Sequence, residues 1–326
     1  MKDLLKIENY EKGIIIERLN RFVVKGKIKN KLVLAHLNNT GRLEDFLRKG
    51  KVGLFLPINA DYADSTQTAR TKLKFRLSMV KESKNIYSII DTQLQMKCFE
   101  IALEKGYISW LKGAKILKRN FKINHSLIDY LIEHKNKKYL LEIKSAVMKY
   151  KNFAMYPDCP SVRGQKHIKE LINIQSTRIT DRINYPNNSI YPNEGPNNIP
   201  EYRPNKNIHP NDDQIIYPNN RPNKNKIFGK HSGNSYGPHS GSDIKFGPHS
   251  GKTFGHNSGR YSPIILFIAG MKNISAFSPN KNADPKIYEL LKIAKEKGVK
   301  IKAIQIYFDE KRKSVILEND DLPVIL

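Results

Sequence analysis

In the stretch IDYLIEHKNKKYLLEIKSAV, Ile128 to Val147, three residues have types and spacing that could do chemistry: Asp129, Glu142 and Lys144. If residues 128–133 pair antiparallel with 138–143 around a turn at Lys135–Asn136, facing positions sum to 271. Leu131 then meets Leu140 and Glu133 meets Lys138; on the other face Tyr130 meets Leu141, Ile132 meets Tyr139 and Ile128 meets Ile143. Apolar faces apolar and acid faces base everywhere except at Asp129 and Glu142. Two carboxylates opposed across a hairpin are unfavourable without a compensating cation. Mg or Mn could supply it, held by both carboxylates together with water and phosphate oxygens. Period-two alternation puts Lys144 on the face of Glu142, where an ammonium can orient an attacking water or stabilise charge developing on a phosphoryl group. The expectation is that Asp129 and Glu142 are metal ligands and that Asp129, Glu142 and Lys144 are catalytic. An E-x-K triplet alone would be an ordinary solvated strand edge; the opposed Asp129 and the apolar back face separate it from one.

Two textures must position these residues. From Ile14 to Asp91 short apolar runs alternate with turns such as Lys29–Asn30: RFVVKGKI, KLVLAHL, KVGLFLP, LKFRLSMV and NIYSIID. One helical piece intervenes, GRLEDFLRKG, with Asn38, Asn39 and Thr40 as candidate caps. Five strands and one short helix suggest an OB-like β-barrel over 1–90. From 91 onward the texture is α/β. The run DTQLQMKCFEIALEKGY predicts a helix ending at Gly106, and strands follow at KILKRNFKI, SLIDYLIEH and KYLLEIKSAV. A helix over SVRGQKHIKELINI, a strand PIILFIA, a helix DPKIYELLKIAKEKG and a strand VKIKAIQIYF complete a mixed sheet with helices on its faces, over 91–326.

Composition breaks near Ser176 and recovers near Tyr261, with YPNN, RPNK and GPHSG each occurring twice between. This Asn-, Pro-, Gly- and His-rich segment, 177–259, lacks the apolar residues to offset its ordering entropy and reads as a disordered, low-complexity insert. GPHSGKT within it is one residue short of a phosphate-binding P-loop and lacks the flanking strand and helix. His231, His239, His249 and His256 have no metal-ligand spacing, and a solvated repeat explains them.

The chain of 326 residues carries a net charge of +26, which favours a polyanionic partner through counterion release. Arg178 to Arg260 holds 11 basic and 6 acidic residues, so +21 remains on the folded parts. An abundance of Lys, Asn and Ile, as an AT-rich genome would produce, is the competing explanation. No run reaches the ~18 apolar residues of a membrane span. The N-terminal residues do not read as a signal peptide, and Cys98 and Cys159 form neither a disulfide framework nor a zinc site. A cytoplasmic protein without a membrane partner is expected.

Arg163 and Lys166 in RGQKH suit phosphate at a helix start, with Gln165 and His167 within reach of the site. Arg21, Arg42, Arg70 and Lys72 are basic residues of the barrel suited to backbone contacts. Glu100 is a candidate third carboxylate, though a solvated helix face explains it as well.

Taken in order, HLNNTGRLEDFLRKG, ARTK, DTQ, IDYLIE with LEIKSA, YPDCPSVRGQKHIKELINI and AFSPNKNADPKIYELLKIAKEKGVKI closely resemble the sugar fermentation stimulation protein A (SfsA) family. The resemblance implies an OB-like N-terminal domain, a PD-(D/E)XK nuclease-like C-terminal domain and DNA binding of a regulatory kind. It places the nuclease-like signature on Asp129, Glu142 and Lys144, and DNA contacts at Asn39, Thr40, Arg42, Arg163, Gln165 and Lys166. Ile128 stands where the superfamily's name has proline, and Met96 stands where a polar residue would follow DTQ. DNA is the expected partner, with a homodimer as one possible assembly and Mg or Mn as the cofactor. The alternatives are an active Mg- or Mn-dependent nuclease hydrolysing DNA phosphodiesters and a structural, RNA-associated basic protein.

Overall fold

Five N-terminal strands close on themselves in a computed structural model that describes residues 1–58, 73–123, 126–184 and 261–326, with side chains of the helix ending at 184 described to 177. They are β2 (Glu11–Asn20), β3 (Val23–Ile28), β4 (Lys31–His36), β5 (Val52–Pro57) and β6 (Phe75–Ser83). Antiparallel pairs β2–β3, β3–β4, β2–β5 and β5–β6 make a sheet, and a short parallel pairing of β4 with β6 at Ala35–Phe75 and His36–Arg76 shuts it. This is the OB-like barrel, filled by Ile15, Val24, Ala35, Phe55 and Leu77. Lys29 and Asn30 both have positive φ, as a two-residue hairpin turn requires.

Two expectations about the barrel were wrong in detail. The strand NIYSIID is not its fifth strand; β2, which runs through GIIIERLN, is. Its bulges at Ile15/Glu17 and Arg18/Asn20 break the period-two pattern that would have marked it. Nor is GRLEDFLRKG a helix. The Arg18 guanidinium takes the carbonyls of Gly41 at 2.6 Å and Arg42 at 2.7 Å, and the Leu43 N–H donates to Asp158 Oδ2 at 2.8 Å. The two carbonyls are ones a helix starting at Gly41 would use, and Leu43 adopts a φ of 54°, outside the helical region.

A short strand, β7 (Ile86–Ile89), pairs with β6 on one side and with a strand of the α/β part on the other, so one hydrogen-bonded sheet joins the barrel and the α/β part. There follow α1 (Thr92–Glu104), β8 (Lys115–Ile123), β9 (Ser126–His134), β10 (Lys137–Ala146), β11 (Met148–Tyr150), β12 (Phe153–Tyr156) and α2 (Val162–Asn184). Later in the chain come β13 (Tyr261–Ala269), β14 (Ala276–Pro279), α3 (Pro285–Glu296), β15 (Lys300–Asp309) and β16 (Ser314–Asn319). From β7 the order is β7-β15-β13-β10-β9-β8, with β15, β13 and β10 mutually parallel. β1 (Lys2–Lys6) adds to β16, and β11, β12 and β14 form a small second sheet.

Helix α1 starts at Asp91, whose side chain accepts from the N–H groups of Gln93 and Leu94, and it stops before Gly106 at φ 64°. It buries Leu94, Cys98, Phe99 and Ala102 against Tyr130, Ile132, Leu141 and Leu266 on one face of the sheet. On the other face Ile168, Leu171 and Ile172 of α2, with Ile287, Leu290 and Leu291 of α3, cover Leu140, Ile265 and Phe267. Helix α2 continues past Ser176, where the composition changes. The rest of the 177–259 insert, with Arg70 and Lys72, lies outside the described residues. Among those described, no helix is long and apolar enough to cross a membrane.

Gly270 joins the two halves. Its carbonyl accepts from Ile89 N at 2.6 Å, and a Cβ there would stand 2.3 Å from the Ile89 carbonyl oxygen. Gly270→Ala should lower stability by about 2–3 kcal/mol through overpacking against backbone, read as a lower urea midpoint. An unchanged midpoint would show that β7 and β13 can separate freely.

Candidate functional site

The β9–β10 hairpin has the register read from its sequence: Lys138 opposes Glu133, Tyr139 Ile132, Leu140 Leu131 and Leu141 Tyr130. Lys135 at φ 51° and Asn136 at φ 58° make the turn. The regular ladder ends at Tyr130–Leu141, one pair short of Asp129 and Glu142. There the two carboxylates replace backbone partners: Asp129 Oδ2 accepts from Ile143 N at 2.7 Å, and Asp129 N donates to Glu142 Oε2 at 3.4 Å. The other anticipated pair, Ile128 with Ile143, therefore does not form as part of the ladder.

Glu142 is 2% exposed, and its Oε1 accepts from both the Lys144 ammonium and His167 Nδ1. Burial alone would raise the Glu142 pKa, but Lys144 and His167 outweigh it and hold the carboxyl below its ordinary range. Lys144 is also buried; the field of Glu142 reverses the effect of burial and raises its pKa. Asp129 goes the other way, pushed up to about 6 by burial and then by the charge of Glu142. Lys144 and His167 both grip Glu142, so Asp129 is the carboxylate of the pair left without a direct partner on its side chain from a basic residue among the described residues. Among the described residues no three His, Cys, Asp or Glu side chains converge as a metal-holding group. Asp129 and Glu142 are the two carboxylates that could share an ion.

Helix α2 delivers the remaining groups. Ser161 Oγ accepts from Gly164 N at 3.1 Å at its start. Gly164 leaves room for the buried Tyr156 hydroxyl, which would lie 2.6 Å from a Cβ at that position. Burial raises the Tyr156 pKa, with the nearby Lys144 opposing it, so the phenol stays protonated beside the cluster. The sequence raised His167 only as within reach and did not mark Tyr156 at all. The spacing of His167, one turn into a helix that begins at SVRG, was the available signal.

Of the other residues singled out, Arg21, Thr40, Arg42, Arg163 and Lys166 are exposed. The loop carrying Thr40 and Arg42 abuts the segment before α2 through the Asp158–Leu43 hydrogen bond. Asn39 is buried, its amide donating to Ile90 O at 2.9 Å and accepting from Gly41 N at 3.0 Å, so it shapes the loop from inside. Gln165 donates to both oxygens of Asp284, the cap of α3, at 3.1 Å, and thereby ties α2 to α3. Glu100 is neither solvated nor part of the cluster: it accepts from Arg119 at 2.6 Å and from Tyr130 at 2.8 Å.

Family models agree with this architecture. The model described as "SfsA N-terminal OB domain" matches residues 16–89, and "Sugar fermentation stimulation protein RE domain" matches 93–182 and 255–312. A sugar fermentation stimulation protein homolog of Pyrococcus furiosus is 30% identical over 296 residues, covering 91% of this chain and 88% of its own. One from Archaeoglobus fulgidus is 30% identical over 324 residues, 99% of each chain. The solved structure of Pyrococcus furiosus SfsA in complex with Ca2+ superposes with a TM-score of 0.68 at 29% identity, covering 100% of both chains. With this fold, these motifs in order and relatives matched nearly end to end, the chain belongs to the sugar fermentation stimulation protein (SfsA) family.

Proposed function

We propose that the protein binds DNA and meets it at a divalent cation held by Asp129 and Glu142. One observation carries the proposal: where the β9–β10 ladder stops, the buried Glu142 and the half-buried Asp129 oppose each other, and among the described residues Asp129 has no ion-pair partner. Their oxygens are hard donors on one face of a strand pair, which suits Mg2+, Mn2+ or Ca2+. A relative of the same fold was solved in complex with Ca2+. The net charge of +26 favours a polyphosphate partner. Arg163 and Lys166 are exposed on α2, which carries His167 of the cluster, Arg42 is exposed on the loop bonded to Asp158 before that helix, and the first N–H groups of α2 favour an anion.

Duplex DNA binding followed by fluorescence anisotropy tests this. Affinity should fall about tenfold or more between 50 and 200 mM salt. Adding Ca2+ should raise it for the wild type and leave Asp129→Asn unchanged. A salt-independent affinity, or an equal Ca2+ response in Asp129→Asn, would refute the proposal.

A second reading, phosphodiester hydrolysis, is favoured by Lys144, whose ammonium is kept charged by Glu142 beside the same carboxylates. A bound cation would supply Lewis acidity and counter-charge. Lys144 can donate to an oxygen on which negative charge develops, Asp129 can accept a proton near neutrality, and His167 fixes the orientation of Glu142. With Mg2+ or Mn2+ the wild type should then cleave DNA, and Lys144→Met should bind but not cleave. Intact single-stranded, duplex and branched DNA with either metal would eliminate hydrolysis while leaving the binding proposal standing.

A further inference from the structure

A separate cavity of about 500 Å³ shares no residue with the carboxylate cluster. Its origin lies in how the sheet ends. β16 pairs with β15 only from Gln305 onward, so among the described residues no strand lies outside Lys300–Ile304. The segment after β16 returns past this gap but is held by β14: Phe277 N donates to Pro323 O at 2.8 Å and Ile325 N to Phe277 O at 2.9 Å. It touches β15 through Leu322 N to Ala303 O at 2.8 Å. Between them the cavity opens, walled by Ile301, Val324, Leu326 and the indole of Trp110.

Three lysines line the same space: Lys295, Lys300 and Lys302. Each has a partial structural reason. Lys295 sits in the last turn of α3, where a cation suits the helix dipole. Lys300 lies over the Tyr139 ring at 5.0 Å. Lys302 pairs with Asp321 at 2.9 Å and lies 5.5 Å from the Trp110 ring centre. Those reasons do not neutralise the group. Among the described residues neither Lys295 nor Lys300 has a carboxylate partner, so the cavity combines an aromatic wall, aliphatic walls and uncompensated positive charge. Trp110 is also fixed in place, its Nε1 donating to Asp320 O at 2.8 Å.

We infer that this cavity binds a nucleotide, the base against Trp110 and the aliphatic walls and the phosphate among Lys295, Lys300 and Lys302. The volume is within the range of small-molecule sites, aromatic stacking accepts any base, and several lysines provide the charge for one phosphate. The nucleotide is either free or the phosphorylated end of a strand. The inference does not depend on the cation site.

Trp110 is the only tryptophan of the chain, so its emission reports on this cavity alone. The full-length protein would be titrated with AMP, TMP, ribose 5-phosphate, inorganic phosphate and a 5′-phosphorylated oligothymidylate, with calorimetry as the second readout. Saturable responses to the mononucleotides are expected, with inorganic phosphate and ribose 5-phosphate binding about tenfold or more weakly because they lack the stacking base. Lys300→Glu, at an exposed position, should weaken the nucleotides about tenfold or more, and Lys295→Gln provides a milder second variant. A response limited to mononucleotides assigns the site to free nucleotide; a tighter oligonucleotide with the same lysine dependence assigns it to a strand end. No saturable response, equal binding of inorganic phosphate, or indifference to both lysine variants would overturn the inference.

Discussion

Glu142→Ala should lower stability at neutral pH by about 3–5 kcal/mol, the usual cost of stripping a buried cation of its partner. Lys144 and His167 both donate to the Glu142 carboxylate from positions with little solvent access, and neither has a second carboxylate so close. Attraction from Asp129 recovers part of the loss, which places the result toward the lower end. Urea titration of wild type and variant measures it, and a change below about 1 kcal/mol would mean that Lys144 and His167 find water or other partners readily. Glu142→Gln separates charge from shape, since it keeps an acceptor oxygen and loses the anion. The pH dependence has a definite sign. The folded-state pKa of Glu142 is depressed, so its stabilisation is present above the unfolded value and disappears as pH falls through the folded one. The acid-side loss of stability should therefore be shallower in Glu142→Gln than in the wild type. The same variant should lose its Ca2+ response on DNA.

Asp129→Asn should do the opposite to stability. The folded-state pKa of Asp129 is raised from 3.8 to about 6, so the folded protein holds this proton more tightly than the unfolded chain does. Its favourable contribution is complete below the unfolded value and is lost as pH rises through the folded one. Above pH 6, without divalent cation, an ionised Asp129 costs on the order of 2–3 kcal/mol. Asparagine removes that cost while keeping an oxygen to accept from Ile143 N. The variant should therefore melt higher than the wild type at pH 7.5 in chelator, and the difference should vanish near pH 4. Ca2+ should stabilise the wild type above pH 6 and leave Asp129→Asn unaffected. Equal melting of the two proteins in chelator at pH 7.5 would show that Asp129 is not strained by its surroundings, removing the main support for a cation there. A residue whose removal stabilises the fold while abolishing the cation response is the pattern expected where function, not folding, selects the side chain.

Local chemistry was readable from the residues alone. The β9–β10 register followed from period-two alternation and a two-residue turn, because a one-residue slip would have turned Leu131, Leu140 and their neighbours to the wrong face. Helix α1 was read from its apolar spacing and its end at Gly106, a signal that acts within one turn. The opposed Asp129 and Glu142 with Lys144 came from the same alternation. Long-range hydrogen bonds decided the rest. That Glu142 is tied to His167 depends on α2 crossing the sheet at that position, and no spacing of 25 residues encodes it. The Gly41–Gly50 segment has helical composition, yet Arg18 takes the Gly41 and Arg42 carbonyls that its helix would need. Asn39 and Gln165 could each have faced a ligand, and Ile90 and Asp284 engage them within the protein instead. The cavity beside Trp110 exists only because β16 falls short of the start of β15. By itself the sequence determined which residues could share a strand face and which charges a hairpin would oppose, since those depend on neighbours a few positions away. Only the tertiary structure decided which of those charges are neutralised and which are left for a ligand, because that depends on partners brought together from distant parts of the chain.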